Sequence, residues 1–176
     1  MSRAKTPLAA LALALASVSA CASAPDPEAQ AAAQVREAME AAMQPATQEE
    51  IDAANHSDPL TKANFWSKEY AKDAENIDNA LTFADALRGI GSTERAIEVL
   101  SEVLVLHPSD PRILMPLGRA LAANGNQLGA ARAFEQTALA EPDRAEAWAA
   151  LGTAMAQLET HRGAQAAYDK ALAIQP

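Results

Sequence analysis

From Ile77 onward, apolar and polar positions come in blocks that return every 34 residues. Laid over one another at that interval, Ala80, Leu114 and Trp148 share a position, as do Phe83, Leu117 and Leu151. Ala84, Gly118 and Gly152 follow, small residues that let two helices approach closely, and then Leu87, Leu121 and Met155. Beyond a short polar turn, Ala96, Ala130 and Ala164 coincide, followed by Leu100, Phe134 and Tyr168, and by Val103, Thr137 and Ala171. Pro108, Pro142 and Pro176 close the units. Within each unit the apolar residues form two stripes of helical period. The turns between them are Gly91-Ser92-Thr93, Asn124-Gly125-Asn126 and Glu159-Thr160-His161. No hairpin can bury its stripe alone, whereas stacked neighbours can. The pattern therefore predicts an all-α, right-handed superhelix of antiparallel helix hairpins with a concave inner face, in units 77–110, 111–144 and 145–176.

A weaker hairpin is predicted over 47–76. Thr47 and Glu50 have the spacing of a capping box, which starts a short helix at Gln48. Ser57-Asp58-Pro59 is a second start signal, a capping side chain with proline in the first turn. The helix it opens carries Phe65, Trp66 and Tyr70, expected to pack against the next hairpin. Asp110 with Pro111 repeats that signal. Pro116 falls inside the helix that follows, where its missing N–H should kink or loosen the turn.

The first residues read as an address. Arg3 and Lys5 precede an uncharged, Ala/Leu-rich stretch from Pro7 to Ala20, about 14 residues long against the ~20 that span a bilayer. Residues 1–20 are thus expected to be a signal peptide. Val18-Ser19-Ala20-Cys21 resembles a bacterial lipobox, which implies that Cys21 takes a diacylglycerol and an N-acyl chain and becomes the new N-terminus. An ordinary cut after Ala20 would leave a stray thiol instead. Several acyl chains anchor almost irreversibly, whereas one does so only marginally. Ala22 after the cysteine points, by the same resemblance, to the outer membrane and its periplasmic face. Residues 21–46, rich in Ala, Gln, Pro and Glu, are expected to be a tether. Ala29 to Met43 within it has helical spacing, with Val35, Met39 and Met43 along one side. That stretch is either a frayed linker helix or a helix that docks on a partner through its methionines.

Composition narrows the function. Alanine supplies much of the 49% hydrophobic content and aromatics only 4%, a mix suited to close helix packing. Without Arg3 and Lys5 the net charge falls from −9 to −11, which repels phosphate backbones and anionic headgroups. Nucleic acid is not an expected partner. One cysteine forbids an intrachain disulfide. His56, His107 and His161 lie more than 50 residues apart, and no metal-binding spacing occurs. Gly89-Ile90-Gly91-Ser92 lacks both the GxSxG and the phosphate-loop patterns and joins two helices, so it is a turn. Carboxylate pairs such as Glu49-Glu50 sit on polar faces, without the contrast in environment that acid–base catalysis needs. The chain reads as a non-enzyme with no cofactor or metal and no small-molecule substrate.

The repeated residues resemble the tetratricopeptide repeat, and the third copy carries it most fully: Trp148, Leu151, Gly152, Ala164, Tyr168, Ala171, Pro176. The resemblance covers residues 77–176. It implies a ligand groove lined by outward residues of each first helix. By register these are Asp78, Leu81, Asp85 and Arg88, then Arg112, Met115 and Arg119, then Glu146, Ala149 and Thr153. Charges mixed with Leu and Met suit an amphipathic helix or an extended peptide; equally, several of them simply solvate the groove. The lysine and asparagine set that clamps a C-terminal carboxylate in chaperone-binding relatives is absent. Such proteins usually add a helix that covers the last hairpin, so either the natural chain continues past Pro176, as is expected, or a partner covers that end. The lipobox, the tether, Phe65-Trp66 with Tyr70, and Ala86-Leu87-Arg88 leading into Thr93-Glu94-Arg95-Ala96 together resemble TadD-type lipoproteins of the Flp/Tad pilus machinery. That resemblance implies a pilotin-like partner for an outer-membrane secretin. Two rivals share much of the pattern: a general envelope adaptor, recruiting peptidoglycan hydrolases or assisting outer-membrane insertion, and an accessory domain of a longer enzyme.

Overall fold

The computed structural model describes residues 26–175. The signal segment 1–20, the lipobox and Cys21 lie outside the described residues. The chain divides into two compact units, Met1–Ala42 and Met43–Pro176. Of the first unit the structure shows α1 (Pro27–Met43), begun by Asp26, whose Oδ1 accepts the Glu28 N–H at 3.0 Å. Proline at the first helical position costs nothing, because that N–H has no partner in any helix. The helix therefore starts two residues before the predicted Ala29. None of its residues is buried.

Among the described residues the second unit contains eight helices: α2 (Gln48–Asn55), α3 (Pro59–Lys72), α4 (Ile77–Gly89), α5 (Thr93–Leu106), α6 (Pro111–Ala123), α7 (Gln127–Ala140), α8 (Ala145–Gln157) and α9 (His161–Ile174). Each packs mainly on its neighbours in sequence, and α4 also touches α6. The predicted caps form: Thr47 and Glu50 make a capping box, Asp58 accepts from Leu60 and Thr61, and Asp110 accepts from Arg112. Among the described residues no helix is long and apolar enough to cross a membrane.

Three turns at the 34-residue interval share one geometry. After α4, the Ser92 N–H bonds to the Leu87 carbonyl and Gly91 to Arg88; Asn126 to Leu121 and Gly125 to Ala122 follow after α6, and Thr160 to Met155 and Glu159 to Ala156 after α8. This paired closure requires a left-handed residue just past the helix end. Gly91 and Gly125 supply it at φ 78° and 80°, whereas the third turn puts Glu159 there at φ 58°. Pro116 does not interrupt α6, which runs through it to Ala123. Only the bond to the Arg112 carbonyl is lost, near enough to the helix start for the flanking turns to hold.

Two core clusters fill the stack. The first joins α3 to α6 through residues such as Trp66, Tyr70, Phe83, Val99, Leu100 and Ile113. The aromatic trio packs as expected: Phe65 meets Trp66 edge-on, and the Tyr70 ring lies 5.7 Å from that of Phe83. The second cluster joins α6 to α9 around Met115, Phe134, Trp148 and Leu151. Helix α6 serves both, giving Ile113, Leu117 and Ala120 to one and Met115 to the other.

Candidate functional site

The residues predicted to line the groove lie on α4, α6 and α8, at helical spacing on one side of each first helix. Nine of them reach the surface. Asp78, Asp85, Arg112, Arg119, Glu146 and Thr153 are exposed, and Leu81, Arg88 and Ala149 are half-buried. Met115 is the correction: at 1% exposure it belongs to the second core, among the side chains of α7 and α8. Register fixes the side of α6 on which Met115 stands, and the next hairpin closes over that point.

The charges on this face are largely paired with one another. Asp85 meets Arg88 at 3.7 Å and Lys62 of α3 at 3.9 Å. Arg112 turns back onto Asp110 at 2.8 Å. That hydrogen bond holds the Asp110 carboxyl below the usual carboxylate range and raises the guanidinium. Arg119 reaches across to Glu146, bridging α6 and α8, and Arg144 approaches the same carboxylate at 3.3 Å. Exposed pairs like these add little to stability, on the order of 0–1 kcal/mol each. They do fix where the long side chains lie, and so leave the apolar floor open. The face thus carries Asp78, Asp85 and Arg88 on α4, two guanidinium groups on α6 and a carboxylate on α8.

At its C-terminal end the face deepens into a groove of about 390 Å³. Ala145, Glu146 and Ala149 of α8 form one wall, and Tyr168, Ala171 and Leu172 of α9, with Gln175 just past its end, the other. Tyr168 is steered into place by its hydroxyl, which donates to Thr153 Oγ1 at 3.1 Å, while Thr153 donates to the Ala149 carbonyl at 3.0 Å. Glu146, Ala149 and Thr153 were legible from register. Leu172 and Gln175 were not, and Tyr168 was read as core, because register places a side chain on a face without saying whether that face is covered. Lys62 was missed because it belongs to a second helix of the weak hairpin. Among the described residues no group of three or more metal-ligating side chains occurs. The arrangement offers shape, apolar contact and ordered charge.

No protein-family model matches the chain, and no curated protein matches it. Solved structures do. MamA from Desulfovibrio magneticus RS-1 (residues 41 to the end) superposes with TM-score 0.65 at 19% identity, over 71% of this chain and 71% of that one. Another MamA structure gives 0.62 at 20% identity, covering 66% of this chain and 68% of its own. The TPR domain of Sgt2 from Aspergillus fumigatus gives 0.53 at 26% identity, covering 56% and 65%. The chain thus spans about two thirds of the length of each. These likenesses establish an all-α tetratricopeptide-type solenoid of antiparallel hairpins.

Proposed function

We propose that this chain is a lipid-anchored, periplasm-facing scaffold that holds a segment of a protein partner, in the manner of a pilotin serving an outer-membrane secretin. The observation that carries the reading is the groove on α8 and α9, where an apolar floor is framed by a fixed pattern of charge. That chemistry suits an amphipathic helix or extended segment better than a small polar metabolite. Its supports outside the groove are the order Val18-Ser19-Ala20-Cys21 and the resemblance to TadD-type lipoproteins.

Acyl chains on Cys21 would confine the scaffold to a membrane surface, and the segment after it would let the groove search for its ligand. Confinement converts a modest intrinsic affinity into stable capture by raising the effective concentration. Cys21→Ser is expected to move the protein from the membrane to the soluble fraction and to mislocalise the secretin. Unchanged fractionation would falsify the anchor. Replacing Ala149 with Arg obstructs the groove floor and should reduce co-purification of the secretin from solubilised envelopes at least tenfold. Recovery of peptidoglycan hydrolases in place of pilus proteins would support the general adaptor instead.

A further inference from the structure

The hairpin of α2 and α3 follows the 34-residue register too, and it is cut short at one place. Helix α3 (Pro59–Lys72) begins and ends one interval before α5 (Thr93–Leu106), and α2 ends one interval before α4. By the register of Ile77, α2 would start at Met43, yet it starts at Gln48. Pro45 disfavours helical backbone at Gln44, which precedes it, and Thr47 caps the chain afresh. Residues 44–47 therefore run as a strap where the later units have a helical turn. The strap does not fill the space of that turn. A cavity of about 240 Å³ remains beside it, lined by Pro45, Ile51, Trp66, Glu69 and Asn79 among others.

Two side chains of α3 hold this strap. Glu69 falls at the register position of Val103 and Thr137, both sealed from solvent, and is itself 8% exposed. Its Oε2 accepts the Ala46 N–H at 3.1 Å, and its Oε1 accepts from Lys72 Nζ at 2.6 Å. The same ammonium donates to the Gln44 carbonyl at 2.7 Å. Ala46 is the register counterpart of Ala80, whose N–H bonds to the Asn76 carbonyl. The Glu69 carboxylate thus stands in for the carbonyl that the missing turn would have supplied. An apolar side chain such as valine would fill the position with less desolvation, so filling alone does not explain a carboxylate there. Helix α2, which follows the strap, buries only Ala54. Its other holds are Ile51, packed on the first core, and Asn55, which accepts from Trp66 Nε1 at 3.2 Å.

We infer that Glu69 and Lys72 form a latch, and that its release lets the strap and α2 leave α3 together while α3 to α9 stay folded. An element with one buried side chain opens at lower free energy than the cores behind it. Opening leaves the Glu69–Lys72 pair intact and hydrated, so no lone charge is stranded in the core. It also adds residues 44–57 to the segment that precedes the solenoid, up to about 50 Å of extra reach. The latch thereby sets how far the solenoid can stand from whatever its N-terminal segment is attached to. It needs neither lipid on Cys21 nor a secretin to operate.

Hydrogen exchange in the full chain, with two substitutions, tests the latch. Glu69→Val gives α3 the residue that α5 carries at this position, so thermal melts should show the solenoid intact. Lys72→Met removes the hold on Gln44. Each should speed exchange at Ala46 and from Ile51 to Asn55 by about tenfold or more, the share of one hydrogen bond to a charged group. Leu100 and Phe134 should exchange as slowly as in the parent. Cleavage by a glutamate-specific protease after Glu49 and Glu50 should quicken in step. Were Glu69 a filler, Glu69→Val would leave Ala46 protected, and that result would overturn the latch. So would faster exchange confined to Ala46 with α2 unchanged, or a loss of protection shared by Leu100, which would make the opening global. Should Glu69→Val lower the melting of the whole unit, Lys72→Met decides alone by the same criteria.

Discussion

The hairpins α4–α5 and α8–α9 have the same length, turn geometry and register, yet they are held together differently. Around the first, four of the thirteen buried cluster residues are alanine, and Val99, Leu100 and Val103 of α5 are sealed from solvent. Around the last, seven of eleven are alanine, and the second helix leaves Tyr168 and Leu172 at the surface. The terminal hairpin also begins at Arg144, whose side chain makes no cap bond, where the preceding units use Asn76 and Asp110. Repeat signature and burial are therefore separate properties. Trp148, Gly152 and Tyr168 make the last copy the easiest to recognise, while the bulk that seals a core lies in the copies recognised less readily.

The sharpest test of that contrast pairs two leucines on second helices. Leu100→Ala opens a cavity in a closed core and should cost about 3 kcal/mol or more in denaturant unfolding. Leu172→Ala, measured dilute, should change stability by no more than ~0.5 kcal/mol. Equal losses would erase the distinction.

Two glycines at one register position sharpen it further. A Cβ at Gly118 would lie 2.5 Å from the Phe134 ring, and one at Gly152 would lie 2.8 Å from Tyr168. Phe134 is enclosed and cannot yield, so Gly118→Ala should destabilise by about 1–3 kcal/mol. Tyr168 has solvent beside it and can swing aside. The better helix propensity of alanine, about 1 kcal/mol, then makes Gly152→Ala neutral or mildly stabilising in thermal melts.

Alkali probes the closed end. Burial first, and then the Glu102 carboxylate accepting its hydroxyl at 2.7 Å, push the Tyr70 phenol up to about 12. The folded state thus holds this proton above the ordinary value near 10, where the unfolded chain releases it. Its contribution is complete below about pH 10 and is lost as pH climbs towards 12. Tyr70→Phe should flatten that part of the stability profile, and a difference between variant and parent that stays constant with pH would contradict it. A modest gain belongs to the third turn. Glu159→Gly relieves a left-handed conformation costing roughly 1–2 kcal/mol, partly offset by the freedom glycine brings to the unfolded chain. A gain of about 0.5–1 kcal/mol in unfolding free energy is expected.

The solenoid was legible because a 34-residue interval and helical spacing are local properties that the chain repeats. The caps at Thr47, Asp58 and Asp110 were legible for the same reason. Met115 was not, because register gives a side of a helix but not whether another helix lies over it. The Arg119–Glu146 bridge joins residues 27 apart in sequence, and nothing local announces it. The groove at α9 was hidden differently: Tyr168 and Ala171 carry core signatures, and their exposure follows from what lies next to them in space.

Helix α6 faces two ways, with Ile113 and Leu117 serving one core and Met115 the other. A fragment ending before α6 loses the lid of the first core, and one beginning at α6 carries Ile113 and Leu117 bare into water. Severing the stack at this helix therefore yields two sticky pieces and no pair of smaller domains. Proteolysis or gene fission there should be felt from Trp66 to Ala171, which makes α6 the keystone of the arch.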